Sequence, residues 1–329
     1  MASDPTPDDT QHWAPPPLLS VRGLTINFGQ RAPIVAGVDL DLSAGRLCAL
    51  VGETGAGKSL VAMALAGLLP RGSATSTTRF QLRGRDLSVL DEDGWSHVRG
   101  RQIGVVFQDP FTALDPLMRI GDHFAEAIHA HVSAGRQEIV RRTVESLVRV
   151  GLPGTERIVR ALPGELSGGM RQRIQIALAL VHDPPVLIAD EPTASLDVEA
   201  RDGIIDLIAG LCRLRRTSAL LVSHDLQSVR SRADDVLVMV QGRVVEAGSA
   251  TDIFERPRHP FTSALLAAEN VLGQSSRVAV ICRPDAPAGC RYYGRCPAAE
   301  AVCAREEPRL QSLSASHAVA CHVMLGHAL

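Results

Sequence analysis

The eight residues GETGAGKS, Gly52 to Ser59, constrain this chain more than any other stretch. They follow an apolar run, RLCALV, that reads as a strand, and they precede LVAMALAGLL, which reads as a helix. A glycine-rich turn in that strand, loop, helix setting is the phosphate-binding pattern. The glycines let the chain turn so tightly that successive N–H groups point into one concavity, while the following helix directs its positive end at the same place. Lys58 is then placed to reach the β- and γ-phosphates of ATP and Ser59 to ligate Mg²⁺, with Gly52, Glu53, Thr54, Gly55, Ala56 and Gly57 completing the loop. A chance glycine-rich turn is the alternative, and the flanking elements weigh against it.

A phosphate loop needs a carboxylate partner, and PVLIADEP supplies one. Asp190 ends an apolar strand, where it can hold Mg²⁺ through water, and Glu191 follows in position to polarise an attacking water as general base. The runs LLSVRGLTINF, RLCALVG, IGVVFQ, PVLIAD and SALLVSH read as strands. VLIAD and ALLVSH are almost continuously apolar, as expected of a parallel sheet covered on both faces, so the fold class is α/β. Between Phe111 and Pro163 helical periodicity replaces the strand signal, in GDHFAEAIHAHV and RQEIVRRTVESLVRVG, and predicts a helical subdomain over about 111–165. VLVMVQGRVVEAG reads as a hairpin turning at Gln241-Gly242, after which the composition shifts toward Pro, Arg and Cys. The expected organisation is a disordered Pro-rich leader at 1–17, a nucleotide-binding domain at 18–250 and a C-terminal extension at 251–329.

Charge excludes one class of partner. Thirty-four basic residues nearly balance thirty-six acidic ones, so there is no global field for nucleic acid and none is expected as a partner. The longest apolar candidate, SLVAMALAGLLP, is too short to span a membrane, and the leader has acids where a signal peptide carries Lys or Arg. The compartment expected is therefore cytoplasmic, with reduced thiols, and Cys48 and Cys212 read as small buried hydrophobes.

LSGGMRQR, Leu166 to Arg173, resembles the signature motif of ATP-binding cassette proteins, and its neighbours fall in the family's order. Gln108 in VVFQDP matches the glutamine loop, SLD ending at Asp197 the D-loop, and His224 in LLVSHDL the switch histidine. Phe28 in INFG stands where the family has an aromatic that stacks on adenine. The resemblance implies a P-loop NTPase (RecA-like) ABC cassette with a helical subdomain. It also implies ATP sandwiched between the phosphate loop of one cassette and Ser167, Gly168 and Gly169 of another, because those residues open a helix and form a second anion-binding surface. By the same resemblance Gln108 joins Ser59 and Asp190 at Mg²⁺, and His224 holds the γ-phosphate and attacking water in line. Neither Glu191 nor the signature is replaced, so the motifs of this chain are expected to support hydrolysis.

DPFTALDPLMRIGDHFAEAI and IALALVHDPPVLIADEPTASLDVEARDGI resemble the peptide and nickel importer subfamily, as does RHPFTSALLAA, which is also a plain amphipathic helix. That likeness implies an ATPase powering import of oligopeptides or dipeptides, peripheral on the cytoplasmic face of the membrane. Its partners would be a second cassette subunit in a heterodimer, two transmembrane permease subunits and an extracytoplasmic substrate-binding protein. Nickel chelates or glutathione-like cargo, and a soluble non-transport cassette ATPase, are the alternatives.

The tail GCRYYGRCPAAEAVC, with Cys290, Cys296 and Cys303, and the later Cys321 are similar to the extension of peptide-importer cassettes. Four thiolates in a reducing compartment suggest a soft metal site. Cysteine-only ligation suits an iron–sulfur cluster or tetrahedral zinc; the tail lacks the close CxxC knuckle of zinc modules, and the resemblance favours [4Fe–4S]. Unligated or disulfide-forming cysteines stay open, and Cys282 and His322 are substitute ligands. A cluster here would staple a segment too polar to bury its own core, with a redox sensor as the alternative.

Overall fold

The computed structural model describes residues 17–29, 32–109, 113–152, 155–194, 196–270 and 288–326. The expected leader, except for its last residue, and Cys282 lie outside them. Strands β1 (Leu19–Phe28), β2 (Val35–Leu42), β3 (Leu47–Gly52), β4 (Ser73–Ser76), β5 (Arg79–Leu82), β6 (Arg85–Asp86), β7 (Ile103–Val106), β8 (Val186–Asp190), β9 (Ser218–Val222), β10 (Asp235–Val240), β11 (Arg243–Ser249), β12 (Gln311–Ser314) and β13 (His317–Val319) form two sheets. In the larger the order is β12-β13-β11-β10-β3-β9-β8-β7, and the run from β10 to β7 is parallel. The smaller sheet, β2-β1-β5-β6 with β4 also on β1, is antiparallel.

Period-two alternation divides the interior. Along β3, Leu47, Ala49 and Val51 enter a core shared with the helices, while Cys48 and Leu50 enter a second core shared with the antiparallel sheet. β8 and β9 are split in the same way, and every residue of all three strands is buried. Cys48 and Cys212 are 2% and 1% exposed, as small hydrophobes would be. In the helical region, helices span Ile120–His129, Arg136–Arg149 and Thr155–Arg160. Ile120, Phe124 and Ile128, four apart on one face, are all fully buried.

β10 and β11 form the expected hairpin, turning through Gln241 and Gly242 at φ 40° and 87°. Beyond it the compositional shift does not interrupt the fold. Helices Ala250–Glu255 and Pro260–Asn270 follow directly, and β13 pairs with β11, from Glu246↔Val319 to Gly248↔His317. The tail thus continues the larger sheet. At the junction Glu246 is fully buried and its carboxylate accepts from the Arg258 N–H at 2.6 Å and the His259 N–H at 3.0 Å, with His317 Nε2 2.7 Å away. Three partners satisfy a carboxylate that burial would otherwise penalise.

Candidate functional site

The phosphate loop begins where β3 ends. Gly52 has φ 148°, and a Cβ there would stand 2.1 Å from the Met239 carbonyl oxygen of β10, so only glycine lets the chain leave the sheet at this point. The helix Lys58–Leu65 starts behind the loop. Lys58 is 5% exposed, and its Nζ donates to the carbonyls of Gly52 at 2.9 Å and Glu53 at 2.8 Å. Burial lowers its pKa, against the pull of Glu191, Asp190 and Glu53. A cation held on two loop carbonyls can be transferred to an anion at little reorganisation cost.

Across the loop, Ser59 Oγ donates to Asp190 Oδ1 at 3.0 Å. Asp190 is 7% exposed at the end of β8, and burial raises its pKa, with the neighbouring charge of Glu191 adding to the effect. A buried carboxylate pressed by a second one fits a divalent cation, which would relieve both penalties. Glu191 holds φ 44°, in the left-handed region, and its N–H donates to the Val222 carbonyl of β9 at 3.0 Å. His224 Nδ1 lies 3.2 Å from Glu191 Oε2. Lys58, Ser59, Gln108, Glu191 and His224 line one cleft of about 390 Å³ together with Thr54, Gly55, Gly57, Leu60 and Ile34. A larger cleft of about 460 Å³ beside Phe80 and Trp95 carries no charged residue in its lining and offers no comparable chemistry.

One residue expected at the nucleotide stands outside this cleft. Phe28 is half-buried at the end of β1, packed against the second core, and does not line the cleft; Ile34, 42% exposed, does. No motif marks Ile34, whose place depends on the approach of residues 33–35 to the hairpin turn, where the Ala36 N–H donates to the Gly242 carbonyl at 2.9 Å. The signature residues, expected to act on the nucleotide of another cassette, stand outside the chain's own cleft. Ser167 is exposed and accepts from the Met170 N–H at 3.2 Å, capping the helix Gly168–Ala179. A Cβ on Gly168 would meet Leu196, and one on Gly169 would meet Ala200, so the signature lies beside the D-loop segment. Asp197 there accepts from the Ala200 N–H at 2.8 Å and caps the helix Val198–Arg215.

In the tail, Cys296, Cys303 and Cys321 are buried and Cys290 is half-buried. The Cys290 N–H donates to the Cys303 carbonyl at 2.8 Å, and burial, with smaller contributions from nearby Cys303, Cys296 and Cys321, pushes the Cys290 thiol up to about 11. Burial raises Cys321 as well. The four therefore converge on one region, yet among the described residues no group of three or more His, Cys, Asp or Glu has an arrangement that could hold a metal ion. No helix among them is long and apolar enough to cross a membrane.

Two family profiles match this chain: ABC transporter over residues 35–194, and the C-terminal region of oligopeptide/dipeptide transporters over residues 245–303. The oligopeptide transport ATP-binding protein AppD of Bacillus subtilis is 38% identical over 92% of this chain and 96% of its own length. OppD of Mycobacterium tuberculosis, also named an oligopeptide transport ATP-binding protein, is 39% identical over 93% of this chain, which spans 52% of that longer protein. Among solved structures, cbiO1 of Clostridium perfringens, part of the ABC transporter complex cbiONQ, superposes with a TM-score of 0.65 at 26% identity, covering 79% of this chain and 96% of that one. The ATP-binding cassette MJ0796, in a dimeric post-hydrolysis state bound to ADP and Pi, superposes with a TM-score of 0.61 at 25% identity, covering 70% of this chain and 98% of that one. The chain belongs to the ABC transporter family, among the ATP-binding subunits of oligopeptide/dipeptide transporters.

Proposed function

We propose that the 390 Å³ cleft is the ATP site of a peptide importer's ATPase, and that its residues act in the following way. Lys58 exchanges the Gly52 and Glu53 carbonyls for the β- and γ-phosphates. Ser59, Asp190 and Gln108 would hold Mg²⁺, which when bound would supply positive charge to offset that on the phosphoryl oxygens. Glu191 takes the proton of the attacking water, and His224, 3.2 Å from it, keeps Glu191 and the γ-phosphate in line. The remaining phosphate contacts come from Ser167, Gly168 and Gly169 of a second cassette. The observation that carries this reading is the meeting of Lys58, Ser59, Gln108, Glu191 and His224, from four separate stretches of sequence, on one cleft.

ATP hydrolysis is coupled to transport in this family, and the names of AppD and OppD support oligopeptides as cargo. The second cassette is proposed to be a paralogue, with two permease subunits and an extracytoplasmic binding protein completing the complex on the cytoplasmic face of the membrane. Labelled oligopeptides should lose uptake in a deletion strain and regain it with this chain. Loss of nickel-chelate or glutathione uptake, with peptide uptake intact, would overturn the peptide assignment.

For the tail we propose a [4Fe–4S] cluster on Cys290, Cys296, Cys303 and Cys321. Their convergence and burial support it, although the thiols as they stand are not arranged to hold a metal ion, so cluster assembly would have to draw the four together. A single zinc ion would need all four sulfurs at about 2.3 Å from one point, a tighter arrangement than a multi-iron cluster demands. When bound, the cluster would tie the loop 290–303 to Cys321. Anaerobically purified protein should contain iron and acid-labile sulfide; protein with neither, or with zinc in their place, would sink the proposal.

A further inference from the structure

Arg295 lies in the tail, between Cys290 and Cys296, yet its guanidinium pairs with Glu53 in the phosphate loop, 242 positions away in sequence. Nη1 lies 2.5 Å from Glu53 Oε1, and Nη2 lies 2.9 Å from Oε2, the two-pronged geometry that fixes a carboxylate in orientation as well as distance. The arginine is itself supported. Its Cζ sits 5.4 Å from the ring centre of Tyr292, and that ring is buried against Phe261 at 5.4 Å and His259 at 5.9 Å, in the main core. On the other side of the pair, the Glu53 carbonyl accepts from Lys58 Nζ at 2.8 Å and from the Ala56 N–H at 3.2 Å. One loop residue is thus held by the tail through its side chain and holds the phosphate-binding ammonium through its backbone.

We propose that Arg295 is a positioning residue for nucleotide binding, supplied to the phosphate loop by the C-terminal tail of the same chain. It fixes Glu53 and cancels a negative charge at the edge of a site that must accept a polyanion. The proposal rests on the reading of residues 52–59 as the phosphate loop. Electrostatic reach is visible within the loop itself, since the Glu53 carboxylate acts on the Lys58 ammonium. An Arg295 left out would expose a bare carboxylate beside the phosphates and free the first turn of the loop. The side chains of the pair are 41% and 34% exposed, so solvent screens the effect and keeps it modest.

The test is ATP affinity of the full chain with Mg²⁺, measured by calorimetry, together with KM and kcat of the assembled transporter. Arg295→Ala should weaken ATP binding about two- to fivefold, the scale of a partly exposed ion pair, and raise KM by the same factor at unchanged kcat. Adding Glu53→Gln to Arg295→Ala should restore affinity, because the uncompensated charge is gone, and Arg295→Lys should fall between wild type and Arg295→Ala. These responses should shrink in high salt. Lys58→Ala is measured beside them. If it abolishes ATP binding while Arg295→Ala changes nothing, the role of Arg295 is refuted and the phosphate loop stands. If Arg295→Ala weakens binding and Glu53→Gln fails to restore it, the arginine is only part of the tail's fold and the proposal is equally refuted. If Lys58→Ala leaves ATP binding intact, the phosphate-loop reading fails and takes this proposal with it.

Discussion

Glu191 occupies a conformation that L-residues avoid, φ 44°, at a cost of about 1–3 kcal/mol. The hydrogen bond from its N–H to Val222 and the end of β8 hold it there, which aims its carboxylate at His224. Strain of this kind persists where the surrounding structure needs the direction it gives. Glu191→Gln should keep ATP affinity and lower turnover by the 10²- to 10⁴-fold that general-base catalysis supplies, measured in the assembled transporter with both cassettes so altered. Wild-type turnover would remove Glu191 from the mechanism. At this scale much of the site was legible in the sequence. Lys58, Ser59, Asp190 and Glu191 sit in local patterns whose chemistry dictates the residue type, and three of the four line the cleft while Asp190 bonds Ser59. Ile34 and Arg295 were not legible, because each gains its position from chain segments far away in sequence and neither belongs to a local pattern.

The elements that dock the tail are held by buried polar groups. His259 precedes the helix Pro260–Asn270, and its Nδ1 accepts from the Phe261 N–H at 3.0 Å, capping the first turn beside a proline that has no N–H to satisfy. Burial lowers its pKa to about 4 from 6.5. A depressed value means that the unfolded chain takes up a proton that the fold refuses, so this stabilisation is complete above pH 6.5 and is lost as pH falls toward 4. The loss is about 3 kcal/mol by linkage. His259→Asn keeps an acceptor near the same place and removes the titration; urea midpoints between pH 7 and 4 should then fall less steeply than in wild type. Glu246→Ala should cost about 3–5 kcal/mol in the same assay, since it strands the partners of a buried carboxylate. In the cysteine loop, a Cβ on Gly289 would stand 2.3 Å from the Cys303 carbonyl oxygen, so Gly289→Ala should force that loop apart and lower its protection in hydrogen exchange. Among elements, the parallel strands were readable because five-residue apolar runs bounded by turns have few other uses. β12 and β13 were not, being only four and three residues long, with a partner strand rather than a periodic pattern deciding their conformation.

For the whole molecule, the position of the signature sets the expectation. Ser167 caps its helix beside the D-loop segment and is absent from the lining of the chain's own cleft. Ser167→Arg should therefore leave ATP affinity of the isolated chain as it is and lower turnover only when the second cassette is present. An equal loss of affinity in the isolated chain would place the signature at its own phosphate loop and refute the shared site. The pairing of β13 with β11 bears on how this protein can be shortened. A version cut after Asn270 would leave the outer N–H and C=O groups of β11 without their partner strand, at the open edge of a sheet whose next strand is apolar from Val236 to Val240. Such a minimal cassette should recruit other copies edge to edge and come out of solution, so a preparation meant to study the ATP site alone has to carry the tail through Val319.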